Sequence, residues 1–387
     1  MERIYLDYAA TTPCDSRVVE AMRPYFTEKF GNPSSIHSFG QEAKKGLEDA
    51  RQVLADFLGA KPEEIVFTSG GTESNNFTIF GVAGAMAHKG NHIITSQIEH
   101  HAISEPCKAL EKHGCSVSYV KVDKNGIVDP GDVKKAITDK TILITIMHAN
   151  NEIGTIQPIA EIGKIAKEKA IPFHTDAVQT VGHIPTNVNE LNVDLLSLSA
   201  HKFYGPKGVG ALYIRKGTRI NRLLHGGEQE KGRRASTSNV PGIVGLAKAI
   251  ELCKERMKEE SLMESSLRDT LIKNLLSKIE KSYLNGHSIQ RLPNNVNMSF
   301  EYIEGESMLL NLDMLGIAAS SGSACTSSSL EPSHVLLAIG RSHETAHGSL
   351  RFALGRWTKK SDIDYVSEVL PGIVDKLRQM SPLYEKK

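Results

Sequence analysis

Seven short apolar runs constrain this chain more than any other feature. They lie at residues 64–68, 92–95, 117–122, 142–147, 171–175, 194–198 and 210–214. Between them, segments 76–87, 101–113, 130–138 and 159–169 carry apolar residues at helical spacing. Apolar strands alternating with helices predict a mostly parallel sheet covered on both faces. In such sheets ligands bind beyond the carboxyl ends of the strands, so the loops that follow these runs are where chemistry is expected. Ahead of the alternation stand a short extended segment over 1–14 and helices over 15–27 and 43–58. Behind it, 240–282 reads as a charged helical stretch with a boundary near 255. A smaller α+β unit follows, with strands at 295–300, 317–320 and 349–353, helices at 305–313, 332–339 and 361–379, and a small-residue loop at 321–329.

A chain of 387 residues with 46 basic and 45 acidic side chains gives no electrostatic case for nucleic acid or a membrane surface. It holds no run approaching the ~20 apolar residues of a membrane span. Charges stand near the amino terminus where a signal peptide needs an apolar segment, so a cytoplasmic protein is expected. The five cysteines, Cys14, Cys107, Cys115, Cys253 and Cys325, form no CxxC pair, which argues against a disulfide framework and a structural zinc site.

Six features carry chemistry. In Ser199-Ala200-His201-Lys202, a lysine follows an apolar run and precedes a Gly/Pro turn, a position from which an amine can form a Schiff base with a carbonyl cofactor. Ser69-Gly70-Gly71-Thr72-Glu73 places backbone N–H groups and a hydroxyl where a phosphate can sit, or is a Thr-capped helix start. Asp176 ends an apolar run, as a helix cap or as the partner of a buried cation such as a pyridinium nitrogen. His100, in Glu99-His100-His101, follows a run and can stack on an aromatic cofactor or exchange protons. Cys325, in a run of small hydroxyl residues, reads as an accessible thiol able to reach a substrate. Arg351 lies inside an apolar strand and requires a carboxylate or phosphate partner. His343-Glu344-Thr345-Ala346-His347 matches the HExxH zinc pattern, but it sits between a Gly-Arg turn and a strand and lacks the GxxH continuation.

Taken in order, these motifs resemble the pyridoxal-phosphate-dependent cysteine desulfurases of the NifS/IscS type, within the class V aminotransferase-like group. The resemblance spans essentially the whole chain. It runs from Tyr5-Leu6-Asp7-Tyr8-Ala9-Ala10-Thr11-Thr12-Pro13 through Phe67-Thr68-Ser69-Gly70-Gly71-Thr72-Glu73-Ser74 and Asn150-Asn151-Glu152-Ile153-Gly154-Thr155. It continues through His174-Thr175-Asp176-Ala177-Val178-Gln179 to Gly322-Ser323-Ala324-Cys325 and Arg351-Phe352-Ala353-Leu354-Gly355-Arg356.

The resemblance implies a fold-type-I α/β enzyme. Residues 14–255 would form a large cofactor domain with a mostly parallel seven-stranded type of sheet. Residues 1–13 with 256–387 would form a small α+β domain carrying the Cys325 loop, about 320–330. It makes Lys202 the Schiff-base lysine for pyridoxal 5′-phosphate, Asp176 the partner of the pyridine nitrogen, Gln179 the partner of the phenolic oxygen and His100 the stacking and proton-transferring histidine. Gly71, Thr72, Ser199 and His201 would hold the phosphate, with Thr237 reaching it from a second copy of a homodimer. Asn151 would lie near substrate and cofactor, and Arg351 would bind the substrate carboxylate. Cys325 would take sulfur from L-cysteine as a persulfide, leaving L-alanine. It would pass the sulfur to an iron–sulfur scaffold or other acceptor, transiently ligating a cluster as it did so. Ser236 departs from the pattern by replacing a glycine.

Two rival readings stand beside this one. Lys202 and Asp176 fit a class V aminotransferase or a selenocysteine lyase equally well, and Cys325 discriminates, since a transaminase has no use for such a thiol. A non-catalytic sulfur carrier or scaffold is opposed by Lys202.

Overall fold

The structure, a computed structural model, describes residues 3–321, 331–382 and 384; Cys325 and the rest of 322–330 lie outside them. The chain opens with β1 (Ile4–Tyr5), α1 (Ser16–Met22), α2 (Pro24–Thr27) and α3 (Ser38–Leu58). Strands and helices then alternate: β2 (Ile65–Thr68), α4 (Gly71–Met86), β3 (His92–Ser96), α5 (His101–Glu111), β4 (Ser116–Val120), α6 (Pro130–Ala136), β5 (Thr141–Thr145), α7 (Ile159–Glu168) and β6 (Phe173–Asp176). After β7 (Leu195–Ser199) and β8 (Gly210–Ile214) comes α8 (Val240–Lys278). The remainder is β9 (Ser282–Leu284), β10 (Asn295–Phe300), α9 (Gly305–Met314), β11 (Ile317–Ala318), α10 (His334–Ala338), α11 (His343–His347), β12 (Ser349–Ala353) and α12 (Lys360–Met380).

The seven expected runs form one sheet in the order β2-β8-β7-β6-β5-β3-β4. Only β8 runs against its neighbours, antiparallel to both β2 and β7. One face packs through Leu54, Phe173, Leu198 and Leu246 against α3 and the first half of α8. The other packs through Phe77, Val82, Ile103 and Leu143 against α4 and α5. Burial on both faces is what the unbroken apolar runs required.

A second core gathers Leu6, Val296, Phe352 and Leu370 with Leu271 and Leu275 from the far half of α8. This helix of 39 residues is about 58 Å long at 1.5 Å per residue, enough to enter both cores. Here β10 pairs with β9 and β12, and β1 pairs in parallel with β11.

Several local expectations are corrected. The helix expected over 15–27 is two, because Pro24 has no N–H to continue α1 and instead starts α2. The helix expected at 76 starts at Gly71, with Gly70 as the residue that precedes it. The three-residue β9 has no apolar signal of its own; pairing with β10 makes it a strand.

A buried ionic cluster joins distant parts of the chain. Arg356 donates from Nη1 to Asp15 Oδ2 at 2.7 Å and from Nε to Glu260 Oε1 at 2.6 Å, and its guanidinium lies 4.1 Å over the Tyr204 ring. All three charged side chains are buried. Beside them burial, with help from Glu260, pushes the Glu264 carboxyl well above the ordinary range.

Candidate active site

The site forms where the co-directional strands end, and five loops contribute to it. After β2, the chain turns at Gly70, whose φ of 153° is one that side chains rarely adopt. Helix α4 starts at Gly71 with no side-chain cap. A Cβ on Gly71 would stand 2.6 Å from Val178 Cγ2, so the close approach of this helix start to the loop after β6 needs glycine. The first N–H groups of a 16-residue helix favour an anion. They open onto a cavity of about 290 Å³ that Gly71 and Thr72 line together with Ser199 and His201.

Asp176, at the end of β6, is 6% exposed. Its Oδ2 accepts from Asn75 Nδ2 at 2.6 Å and its Oδ1 from the Val178 N–H at 3.0 Å. Asn75, one turn into α4, has its own Oδ1 buried with no partner among the described residues. Lys202 ends a single 3₁₀ turn after β7. Its Nζ donates to the Ala9 and Ala10 carbonyls at 2.6 and 2.7 Å, and Gln179 Nε2 donates to the same Ala9 oxygen at 3.0 Å. His183 contacts the Lys202 carbonyl at 3.0 Å.

His100 caps α5 by accepting the Ala102 N–H at Nδ1, so the neutral ring carries its proton on Nε2. Burial lowers its pKa, with Asp176 opposing in part. His201 is pushed down to about 4, chiefly by burial and further by Lys202 and Lys207. Both rings are therefore neutral at neutral pH.

Asn151 and Arg351 close the cavity from the side of the second core. Arg351 is 3% exposed. It donates from Nη1 to the Asn151 carbonyl at 3.0 Å and from Nη2 to Asp7 Oδ1 at 2.9 Å, while Nε is buried without a partner among the described residues. The turn bearing Asn151 is gripped from β10 and its approach: the Glu152 carbonyl accepts from Asn295 and Asn297, and the Ile153 carbonyl from Arg291.

Lys202, Asp176, Gln179, His100, Gly71, Thr72, Ser199, His201, Asn151 and Arg351 thus line one cavity. Thr237 does not; it borders a separate depression of about 140 Å³ with Arg234 and Ser236. Ser236 adopts φ 93°, a backbone suited to the glycine it replaces. Cys325 lies outside the described residues. Sequence reasoning missed Asn75, Asp7 and the Ala9 and Ala10 carbonyls. Asn75 had a faint signal, since it falls four residues after Gly71 and so on the same helix face.

The residues fit pyridoxal phosphate. An uncapped helix start with hydroxyls beside it suits the phosphate, a buried carboxylate suits a protonated ring nitrogen, and a lysine amine shares their cavity.

Glu99, the neighbour of His100, is 1% exposed, and burial raises its carboxyl pKa to about 8. Oε1 accepts from Ser96 Oγ and the Met147 N–H. The folded chain keeps this proton up to about pH 8, whereas the unfolded chain loses it near 4.5. The folded state binds more protons across that window, so this contribution to stability falls as pH rises through it. Measured by urea midpoints, Glu99→Gln should gain on the wild type by at least ~1 kcal/mol between pH 5.5 and 8.5. Parallel midpoints at the two pH values would refute this.

The match to known proteins agrees with this geometry. The class V aminotransferase family model matches residues 4–366. Cysteine desulfurase IscS of Dictyoglomus turgidum is 62% identical over 379 residues, covering 98% of this chain and 96% of the relative. The IscS of Methanosarcina thermophila is 61% identical, covering 99% and 95%. Among solved structures, a NifS-like protein superposes with a TM-score of 0.91 at 40% identity, over 97% of this chain and all of that one. SspA in complex with cysteine superposes at 0.82, also at 40% identity, over 92% of this chain and all of that one. The chain belongs to the class V aminotransferase family and, within it, to the cysteine desulfurases of the IscS type.

Proposed function

We propose that this protein removes sulfur from L-cysteine, leaving L-alanine, with pyridoxal 5′-phosphate held by Lys202 and Cys325 as the sulfur acceptor. The convergence of Lys202, Asp176, His100 and Arg351 on one cavity, in a chain 62% identical to a cysteine desulfurase, carries this reading. When bound, the cofactor supplies an electron sink that acidifies the substrate Cα–H.

The chain's own groups do the rest. The α4 start with Thr72, Ser199 and His201 holds the phosphate, Asp176 sets its side chain against the ring nitrogen, and Gln179 faces the phenolic oxygen. Arg351 binds the substrate carboxylate beside Asn151, and Lys202 Nζ, once free, takes the Cα proton. His100 begins with its proton on Nε2 and can donate it. Accepting a thiol proton at Nδ1 would cost the ring its cap bond to the Ala102 N–H. Cys325 attacks the substrate sulfur as a thiolate: the S–Cβ bond breaks with its electron pair going to Cβ, which takes up a proton to become the methyl group of L-alanine, and the new S–S bond leaves a persulfide on the chain.

The finer reading has a large domain at 14–255 and a small one formed by 1–13 with 256–387, working as a cytoplasmic homodimer in which Thr237 serves the partner's phosphate. Supporting the dimer, Phe26, Phe30, Ile36 and Phe39 expose more than half of their surface within 14 residues. Among the described residues no helix is long and apolar enough to cross a membrane. The acceptor is an iron–sulfur scaffold or another sulfur-accepting protein, to which Cys325 hands the persulfide sulfur, transiently ligating the cluster.

The test is alanine formation from L-cysteine, with pyridoxal phosphate and a thiol reductant, by the wild type and Cys325→Ala. Alanine from the wild type alone is expected. Equal alanine from both would remove Cys325 from the mechanism, and alanine from neither would overturn the desulfurase reading.

A further inference from the structure

Arg351 is a buried cation whose guanidinium is held on two sides and, among the described residues, open on the third. Asp7 reaches Nη2 at 2.9 Å, the Asn151 carbonyl takes Nη1 at 3.0 Å, and buried Nε has no partner among the described residues. Among the described residues two of the five N–H donors of this guanidinium are used and three remain, enough for a bidentate carboxylate. The placement of Asp7 is built into the backbone. Its neighbours Leu6 and Tyr8 exchange hydrogen bonds with Ala353, two residues beyond Arg351 on β12, at 2.7 and 3.2 Å. Arg351 is pinned in turn by exchange with Ser320. Carboxylate and guanidinium are thus fixed to one another by two short ladders.

We infer that Asp7 is a positioning residue for substrate binding: by holding Nη2 of Arg351 it aims the remaining donors of that guanidinium at the α-carboxylate of the amino-acid substrate. This rests on the reading of Arg351 as the carboxylate-binding group. A long arginine side chain has many rotamers, and a buried one without a counter-charge turns toward whatever carbonyls it can reach. Asp7 removes that freedom before substrate arrives, which lowers the cost of binding. Asp7 is not itself placed on the reacting atoms, so its loss should act on binding rather than on turnover.

The experiment uses the cofactor-loaded protein and reads KM and kcat for L-cysteine, together with calorimetric binding of L-alanine. The variants are Asp7→Asn, Asp7→Glu, Arg351→Gln and the double variant Asp7→Asn/Arg351→Gln. Asp7→Asn should raise KM and weaken L-alanine binding by about 10-fold or more, while kcat changes less than about 3-fold. Asp7→Glu, which keeps the charge and moves it by one methylene, should fall between wild type and Asp7→Asn; it carries the test alone if Asp7→Asn does not fold. In the Arg351→Gln background the Asp7→Asn change should shrink to less than about 2-fold, because the two act as a unit.

A lower KM in Asp7→Asn would make Asp7 a competitor of the substrate and overturn the inference. So would an undiminished effect in the Arg351→Gln background, or an equal fall in kcat. Impairment by Arg351→Gln with no change on altering Asp7 overturns this inference alone. No impairment by Arg351→Gln overturns the reading of Arg351 and the inference with it.

Discussion

Lys202→Ala should lower alanine production from L-cysteine by about 10³-fold or more, because the amine serves both to hold the cofactor and to move the Cα proton. The variant should also fail to retain cofactor covalently after borohydride reduction, while the wild type retains it. Lys202 Nζ is anchored on two carbonyls of the amino-terminal segment, and losing two part-buried hydrogen bonds is worth only about 1–3 kcal/mol. The fold should therefore survive, with far-ultraviolet circular dichroism unchanged. Near-normal turnover by a folded Lys202→Ala protein would refute the site assignment.

The second large effect is on stability. Arg356→Met should destabilise the protein by about 3 kcal/mol, the lower end for breaking a buried pair, since it removes the cation shared by buried Asp15 and Glu260 while half-exposed Arg17 and Arg256 stay paired with them. At about 2 °C per kcal/mol for a large domain, the thermal midpoint should drop by about 6 °C. Glu264 is already forced toward its neutral form, and loss of the neighbouring guanidinium removes the group that lowers its pKa. A midpoint within about 1 °C of wild type, well below the expected shift, would mean that the cluster relaxes onto water or its own protonated carboxyls.

Much of the site was legible because it is made of short local patterns at strand ends. Lys202, Asp176, His100 and Gly71 each follow an apolar run in the sequence, and a parallel sheet brings all such positions to one edge. What was not legible depends on partners far away in the chain. Nothing near Asp7 points to Arg351, 344 positions on. Nothing in the Asn151 turn reveals that Arg291, Asn295 and Asn297 will grip its carbonyls. The reversed direction of β8 is likewise settled by pairing on both sides, with no trace in its apolar run. Ser236 shows the opposite case: a departure from the family pattern, visible in the sequence, marks a backbone that glycine adopts more readily.

The pairing of β1 with β11, and of the chain around Asp7 with Ala353, sets a timetable for synthesis. At ribosomal speeds of about 5–20 residues per second, residue 353 follows residue 7 by roughly 17–70 s. Throughout that interval the nascent segment that supplies Ala9 and Ala10 to Lys202 lacks its partner on β12, and only the contacts from Gln179, His201 and Tyr204 are there to hold it. The large sheet can be complete long before its lysine is. The surroundings of the reactive amine are thus completed on the β12 side only after nearly all of the chain has emerged.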